Sequence, residues 1–306
     1  MPTGDKLYYL PHKEIDRSLW DACIDKAPNG LIYAKSYYLD EMANTWNAVI
    51  WGDYQAVMPL PWKRKYFFKY VYPPPFLQQL GVFSRQQLPS AIVLKMIQTA
   101  ESKFKFGEYF FNFQNVFQNT NPKTNFILNL EKDYKKLAAN YHQNLQRNLK
   151  KAAKLNLQYA CSNDFKAAIH LYQSTYGKRM PHVTEVDYRR LTNACQVLYK
   201  REELVIRETR DKEGNLLALL LCLKDRNRIY FLLPTTTERG RKCEANHFMI
   251  DNLIKEFAGQ KLVLDFEGSD LPGIAHFYKN FGSSNQPYFF YRWNHLPWPL
   301  NLIKDR

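Results

Sequence analysis

The chain has 306 residues, 45% of them hydrophobic and 15% aromatic, which supplies core for one large or two ordinary domains. It has no apolar run of roughly 18 residues and no basic-then-apolar leader at Met1 to Lys6, and its five irregularly spaced cysteines form no CxxC pair. This argues against a membrane span, a secretory leader and a disulfide framework, and sets the expectation of a reduced, cytoplasmic protein. The formal net charge of +14 attracts polyanions: nucleic acid, the anionic lipid of a peripheral membrane contact, or a phosphate-bearing cofactor.

Residues 48–51 and 54–60 read as a hairpin turning at Gly52-Asp53, and residues 66–72, from Tyr66 on, as a third strand. Pro73-Pro74-Pro75 breaks the chain. A helix over 91–104 and strands over 109–113 and 125–130 follow. The stretch 134–155 reads as one long helix opening a second half. Around it Lys132, Lys135, Lys136, Arg147, Lys150, Lys151 and Lys154 stand against only Glu131 and Asp133, a pattern that serves either as a solvated face or as a nucleic-acid face. Helices over 167–176 and 186–199 precede strands over 203–208, 216–223 and 228–233, joined by the turns Asp211–Asn215 and Asp225–Asn227. A polar, basic loop over 234–242 leads to a helix in which Phe248, Met249, Leu253, Ile254 and Phe257 recur at helical spacing, with Gly259 as its terminator. A strand over 261–266, a helix over 271–280 and a strand over 287–293 complete the chain. The order β-β-β-loop-α-β-α-β is loosely repeated in the first half, which predicts two similar α/β domains, residues 1–130 and 131–306, each a mixed sheet flanked by helices.

Three stretches carry a resemblance. Phe76-Leu77-Gln78-Gln79-Leu80-Gly81, the helix ending Gln146-Arg147-Asn148-Leu149-Lys150-Lys151-Ala152, and Asp265-Phe266-Glu267-Gly268-Ser269 leading into Phe277-Tyr278-Lys279-Asn280-Phe281-Gly282 occur in this order. The whole resembles the GNAT acyltransferase superfamily, in its double-GNAT, FemAB/FemX-like branch. That resemblance implies transfer of an acyl or aminoacyl group to an amine. FemAB-type enzymes take an amino acid from aminoacyl-tRNA and add it to a peptidoglycan precursor; other GNAT enzymes take the acyl group from coenzyme A. The donor site is expected in the second domain, and an acceptor site between the halves, lined by Lys35, Tyr37, Phe76, Gln78 and Tyr141 with Ser36, Tyr38 and Gln79 nearby.

Such a transfer holds the donor's phosphates, polarises its carbonyl, deprotonates the amine and protonates the leaving group. For the phosphates, the loop between strand and helix offers Thr235, Arg239, Gly240, Arg241, Lys242 and Asn246, with Leu233 on the strand before it. Its departure from the family pattern is Cys243-Glu244 where small residues stand; an ordinary basic loop is the alternative. For the proton acceptor, Asp265 and Glu267 alternate on one strand and so share a face at its C-terminal end. Alternatively Asp265 holds a turn while Ser269 or Asp270 caps the next helix. Tyr278 matches the Tyr-x-x-x-Gly arrangement of coenzyme A-dependent GNAT enzymes, whose tyrosine hydroxyl protonates the departing thiolate; FemAB-type sequences carry Phe-Lys there. The other role for Tyr278 is a core aromatic. His142 and His247 are further candidate bases. No metal is expected. The preferred reading is an N-acyltransferase with an acyl-CoA donor and a small-molecule or cell-wall-precursor amine as acceptor, a peptidoglycan precursor, a lipid-linked amine and a polyamine all being open; the others are an aminoacyl-tRNA-dependent FemAB/FemX-like transferase and an inactive GNAT scaffold that binds a partner.

Overall fold

The structure, a computed structural model, describes residues 6–303 other than 66 and 269. The expected cap Ser269, and the residue Tyr66 expected to open the third strand, thus lie outside the described residues. In chain order the elements are β1 (Leu7–Leu10), α1 (Arg17–Lys26), α2 (Ser36–Met42), β2 (Trp46–Trp51), β3 (Ala56–Lys65), β4 (Phe68–Val71), β5 (Phe83–Ser84), α3 (Ser90–Lys103), β6 (Phe106–Phe111) and β7 (Asn121–Lys123). Then come β8 (Phe126–Asn129), α4 (Tyr134–Ala138), α5 (Gln143–Ala152), β9 (Gln158–Cys161), α6 (Phe165–Tyr176), α7 (Glu185–Lys200), β10 (Leu204–Arg210), β11 (Leu216–Lys224) and β12 (Arg228–Thr236). Last are α8 (Glu238–Lys242), α9 (Ala245–Phe257), β13 (Val263–Asp265), α10 (Pro272–Lys279), β14 (Ser284–Asn285), β15 (Tyr288–Asn294) and α11 (Leu300–Ile303).

They form two compact units, residues 1–123 with 287–306, and residues 124–286. The sheet of the first unit runs β1-β2-β3-β4-β6-β15-β7, with β5 beside β3. The sheet of the second runs β14-β8-β13-β12-β11-β10-β9. The element order suggests that the last strand closes the second sheet. It instead pairs antiparallel with β6, Phe289 opposite Phe111 through Asn294 opposite Phe106, and with β7. Packing fixes it there. The indole of Trp293 lies across Gly107, where an added Cβ would come within 2.1 Å of the ring, and its Nε1 donates to Phe104 O at 2.7 Å.

In the second unit β11 reads Leu-Leu-Ala-Leu-Leu-Leu-Cys-Leu-Lys and is buried along nearly its whole length, as a strand covered on both faces must be. The Ile250, Leu253, Ile254 and Phe257 face of α9 packs with Leu217, Leu220, Ile229, Phe231 and Leu264 in one core. Side-chain caps start the helices locally: Asp133 accepts from Lys136 N at 3.1 Å, Asp164 from Ala167 N at 2.8 Å, and Thr184 and Asp187 make a capping box on α7. The long helix expected over 134–155 is broken between α4 and α5. There His142 N donates to Asn280 O at 2.9 Å, tying the break to the end of α10.

Candidate functional site

In the second unit, β12 pairs in parallel with β13 at only three positions, Arg228 with Val263, Ile229 with Leu264 and Tyr230 with Asp265. Beyond them β12 runs on to Thr236, still paired with β11 on its other side but with no strand on this one among the described residues. On that side the main chain of β12 from Phe231 to Thr235 has no partner strand among the described residues, the kind of polar edge that can hold a carbonyl. Leu233 and Thr235 lie on this stretch, both buried, and Thr235 Oγ1 is buried without a hydrogen-bond partner among the described residues.

What stops β13 is a buried charge pair. Asp265 ion-pairs with Arg228 Nη1, and its other oxygen accepts from Glu267 N at 3.0 Å. Both side chains are buried, and Arg228 also donates to Gln286 Oε1 at 3.1 Å. Burial alone would lower the Arg228 pKa, and the Asp265 carboxylate together with Tyr230 and Asp225 more than offsets it. Asp265 is thus a clamp across the strand pair, not an accessible base. Glu267 and Gly268 follow at φ 56° and 54°, and a Cβ on Gly268 would meet Thr124 O at 2.0 Å. The chain leaves the extended conformation at that turn, so the strand alternation that would have aimed Asp265 and Glu267 the same way ends at Asp265. Asp270 does not cap α10; its Oδ1 accepts from Thr124 N at 3.1 Å.

Glu267 keeps a place at the site. It lies close enough to Tyr278, Tyr172 and Cys222 to raise the pKa of each, after burial as the larger cause. Tyr278 sits on α10, buried, stacked on Phe266 at 4.7 Å and edge-on to Phe231 at 6.1 Å. It is therefore a packed aromatic and also a phenol beside the β12 edge. Its hydroxyl has no hydrogen-bond partner among the described residues, and burial with the Glu267 carboxylate holds its pKa well above 10. Tyr172 and Tyr176, one turn apart on α6 with ring centroids 5.3 Å apart, add to that shift. The sequence reading missed this pair; its signal is the i,i+4 spacing of two tyrosines on a helix. Lys279 points elsewhere, over the ring of Phe126 at 5.6 Å.

Part of the expected phosphate loop is helical, with Arg239, Arg241 and Lys242 exposed on it. Residues 238–242 form the short helix α8, capped by Thr237, whose Oγ1 accepts from Gly240 N at 2.9 Å. Gly240 is buried, and a Cβ there would meet Leu217 O at 2.0 Å, so its lack of a side chain serves packing on β11. Arg239 pairs with Asp211 at 2.8 Å, Arg241 donates to Thr236 O at 2.8 Å, and Lys242 pairs with Glu238 at 3.0 Å. Asn246 stands in the first turn of α9 with its Oδ1 buried and without a partner among the described residues.

Four of the seven cations around α5 behave differently, while Lys136 pairs with Asp133 at 2.9 Å. Arg147, Lys150, Lys151 and Lys154 are all exposed, and none has a carboxylate partner among the described residues. Their spacing, i, i+3, i+4, i+7, makes one stripe, opposite the buried Leu145 and Ala152 with which α5 meets α9.

The expected acceptor residues fall on both units. Lys35, Tyr37, Phe76 and Gln78 belong to the first, Tyr141 to the second. Lys35 is buried and paired with Asp25 at 2.5 Å, while Ser36 Oγ donates to Asp21 at 2.7 Å. Tyr37 and Phe76 are half-buried, Phe76 at φ 61°, and Tyr38 donates to Phe76 O at 2.7 Å. Gln78 accepts from Gln79 Nε2 at 2.7 Å. Tyr141 is buried against Phe281, and burial and the nearby Asp251 carboxylate raise its pKa. The two histidines are structural: His142 caps α5, and His247, its pKa lowered by burial, pairs with Glu244 at 3.0 Å and packs on Phe277.

Comparison with known proteins follows the same lines. Residues 139–280 match the acetyltransferase (GNAT) domain family. No curated protein matches the chain. Among solved structures it is similar to FemX, with a TM-score of 0.67 and 14% identity over 98% of this chain and 100% of that one. It is similar also to a tandem GNAT protein from the clavulanic acid biosynthesis pathway, with a TM-score of 0.53 and 9% identity over 95% and 99%. A third is L-PGS from Bacillus licheniformis, with a TM-score of 0.51 and 9% identity over 94% and 95%. Residues 139–280 are thus similar to the GNAT acetyltransferase domain, and the whole chain has the double-GNAT, FemAB/FemX-like fold.

Proposed function

We propose that the second unit transfers an acyl group to an amine, and the observation that carries this is the unpaired edge of β12 with the Tyr278 phenol beside it. The donor carbonyl sits against that edge. The amine nitrogen bonds to the carbonyl carbon, the bond to the leaving atom breaks, Glu267 accepts the amine's proton and Tyr278 gives one to the leaving group.

Two observations favour an aminoacyl ester on tRNA as the donor over a thioester. A phenol held well above its usual pKa is poorly matched to a thiolate and better matched to a ribose alkoxide, a far stronger base. The α5 stripe offers four cations with no carboxylate partner among the described residues to a phosphate backbone, whereas the exposed Arg239 and Lys242 of the α8 loop each face a carboxylate. Aminoacyl-tRNA places the reaction in the cytoplasm, with the amine of a peptidoglycan precursor as the acceptor class. An acyl-CoA donor is the second reading; the GNAT family match favours it, and so does the first turn of α9, whose N–H groups can face a phosphate.

The stripe supplies the test between donors. Lys150→Glu with Lys151→Glu should lower the slope of log affinity against log salt for an aminoacyl-tRNA pool by about 2, at an unchanged melting midpoint. An unchanged slope would mean that tRNA does not lie on α5.

A further inference from the structure

The hairpin of β3 and β4 in the first unit is strongly cationic, and two of its cations, Arg64 and Lys65, have no carboxylate partner among the described residues. Arg64 and Lys69 face each other across the two strands, and Lys63 and Lys65 flank Arg64. Like charges directly opposite in a sheet repel. Arg64, Lys65 and Lys69 are exposed. From Tyr54 to Ala100 the sequence contains no Asp or Glu at all. Glu108 on β6 is near enough to act on the Tyr70 hydroxyl but is paired with Arg292 at 3.8 Å. Behind the turn two cations lie over aromatic faces, Lys69 over Trp62 at 4.7 Å and Lys63 over Tyr72 at 4.1 Å. At the turn itself stands Phe67, 93% exposed, the most exposed of the large hydrophobic residues described.

The hairpin is therefore graded along its length, apolar at the tip and cationic behind it. We propose that it docks the protein on an anionic lipid surface, with Phe67 entering the acyl boundary and Lys63, Arg64, Lys65 and Lys69 meeting the phosphate layer. A single-stranded nucleic acid would use the same cations, but a base stacks on an aromatic face that is backed by the protein. A phenylalanine standing clear of the sheet is shaped for insertion. The docking is independent of the acyl donor.

The test is sedimentation of the full chain with vesicles of equimolar phosphatidylcholine and phosphatidylglycerol, against vesicles of phosphatidylcholine alone. The chain should partition onto the anionic vesicles only. Arg64→Gln with Lys65→Gln should weaken this about thirtyfold, about fivefold for each charge, and Phe67→Ser about tenfold, both without a change in melting midpoint. Phe67→Trp should shift its emission to the blue on anionic vesicles, a readout that a merely structural role would not move. Equal binding of wild type and both variants, or an unshifted Trp emission, would overturn the proposal. So would variants that lose affinity for an RNA oligonucleotide while keeping it for vesicles.

Discussion

Tyr278→Phe should lower kcat by roughly 10²- to 10⁴-fold and leave KM nearly unchanged, the range expected when a general acid is removed. The ring would remain stacked on Phe266 and edge-on to Phe231, so the packing of the site is kept. The hydroxyl has no hydrogen-bond partner among the described residues, so its loss leaves no buried group stranded and should not lower stability. The effect would therefore be confined to the step in which the leaving group takes a proton. Steady-state kinetics with the donor varied, beside a thermal melt, separates the outcomes. A kcat equal to that of the wild type would reduce Tyr278 to a core aromatic. A fall in kcat that tracks a fall in melting midpoint would point to packing rather than proton transfer.

Asp265→Ala should destabilise the second unit by about 3–5 kcal/mol, the usual consequence of removing one partner from a buried ion pair. Arg228 would be left charged and buried without its carboxylate partner, Gln286 still accepting from one of its N–H groups. The pair also fixes where β13 ends, and hence where β12 loses its partner, so the loss should reach the site as well as the fold. The double variant Arg228→Met with Asp265→Leu separates charge from shape: it should recover most of the lost stability, because no uncompensated charge remains. Denaturant melts of the three variants complete the cycle. If Asp265→Ala and the double variant lose equal stability, the pair is not coupled and the carboxylate has some other role.

Much of the second unit is legible in the sequence because its signals are local. Turns at Asp211–Asn215 and Asp225–Asn227 bound strands whose apolar runs leave no other assignment, and the spacing of Met249, Leu253, Ile254 and Phe257 marks α9. What escapes is set by contacts distant in sequence. Asp265 resembles a base at a strand end until Arg228, on the neighbouring strand, is seen to hold it. The basic loop over 234–242 looks open until Thr237 and the close approach of Gly240 to Leu217 fold it into α8. The break between α4 and α5 depends on Asn280, at the far end of α10. The aromatic last strand suits either sheet by composition, and only the fit of Trp293 over Gly107 assigns it to the first. Tyr278 is the opposite case: its place on a short helix ending at Gly282 is visible in the sequence, while its altered acidity comes from burial and then from Glu267, Tyr172 and Tyr176, which only the fold gathers around it.

The most direct measurement is a calorimetric titration of the full chain, at physiological salt, with an aminoacyl-tRNA pool, with the same tRNA deacylated, and with acetyl-CoA and longer acyl-CoAs. The account predicts saturable binding of aminoacyl-tRNA, weaker binding of the deacylated form, and little heat from the acyl-CoAs. Saturable binding of an acyl-CoA alone would move the donor to the thioester and contradict the reading of the α5 stripe. Binding of neither donor would contradict acyl transfer itself.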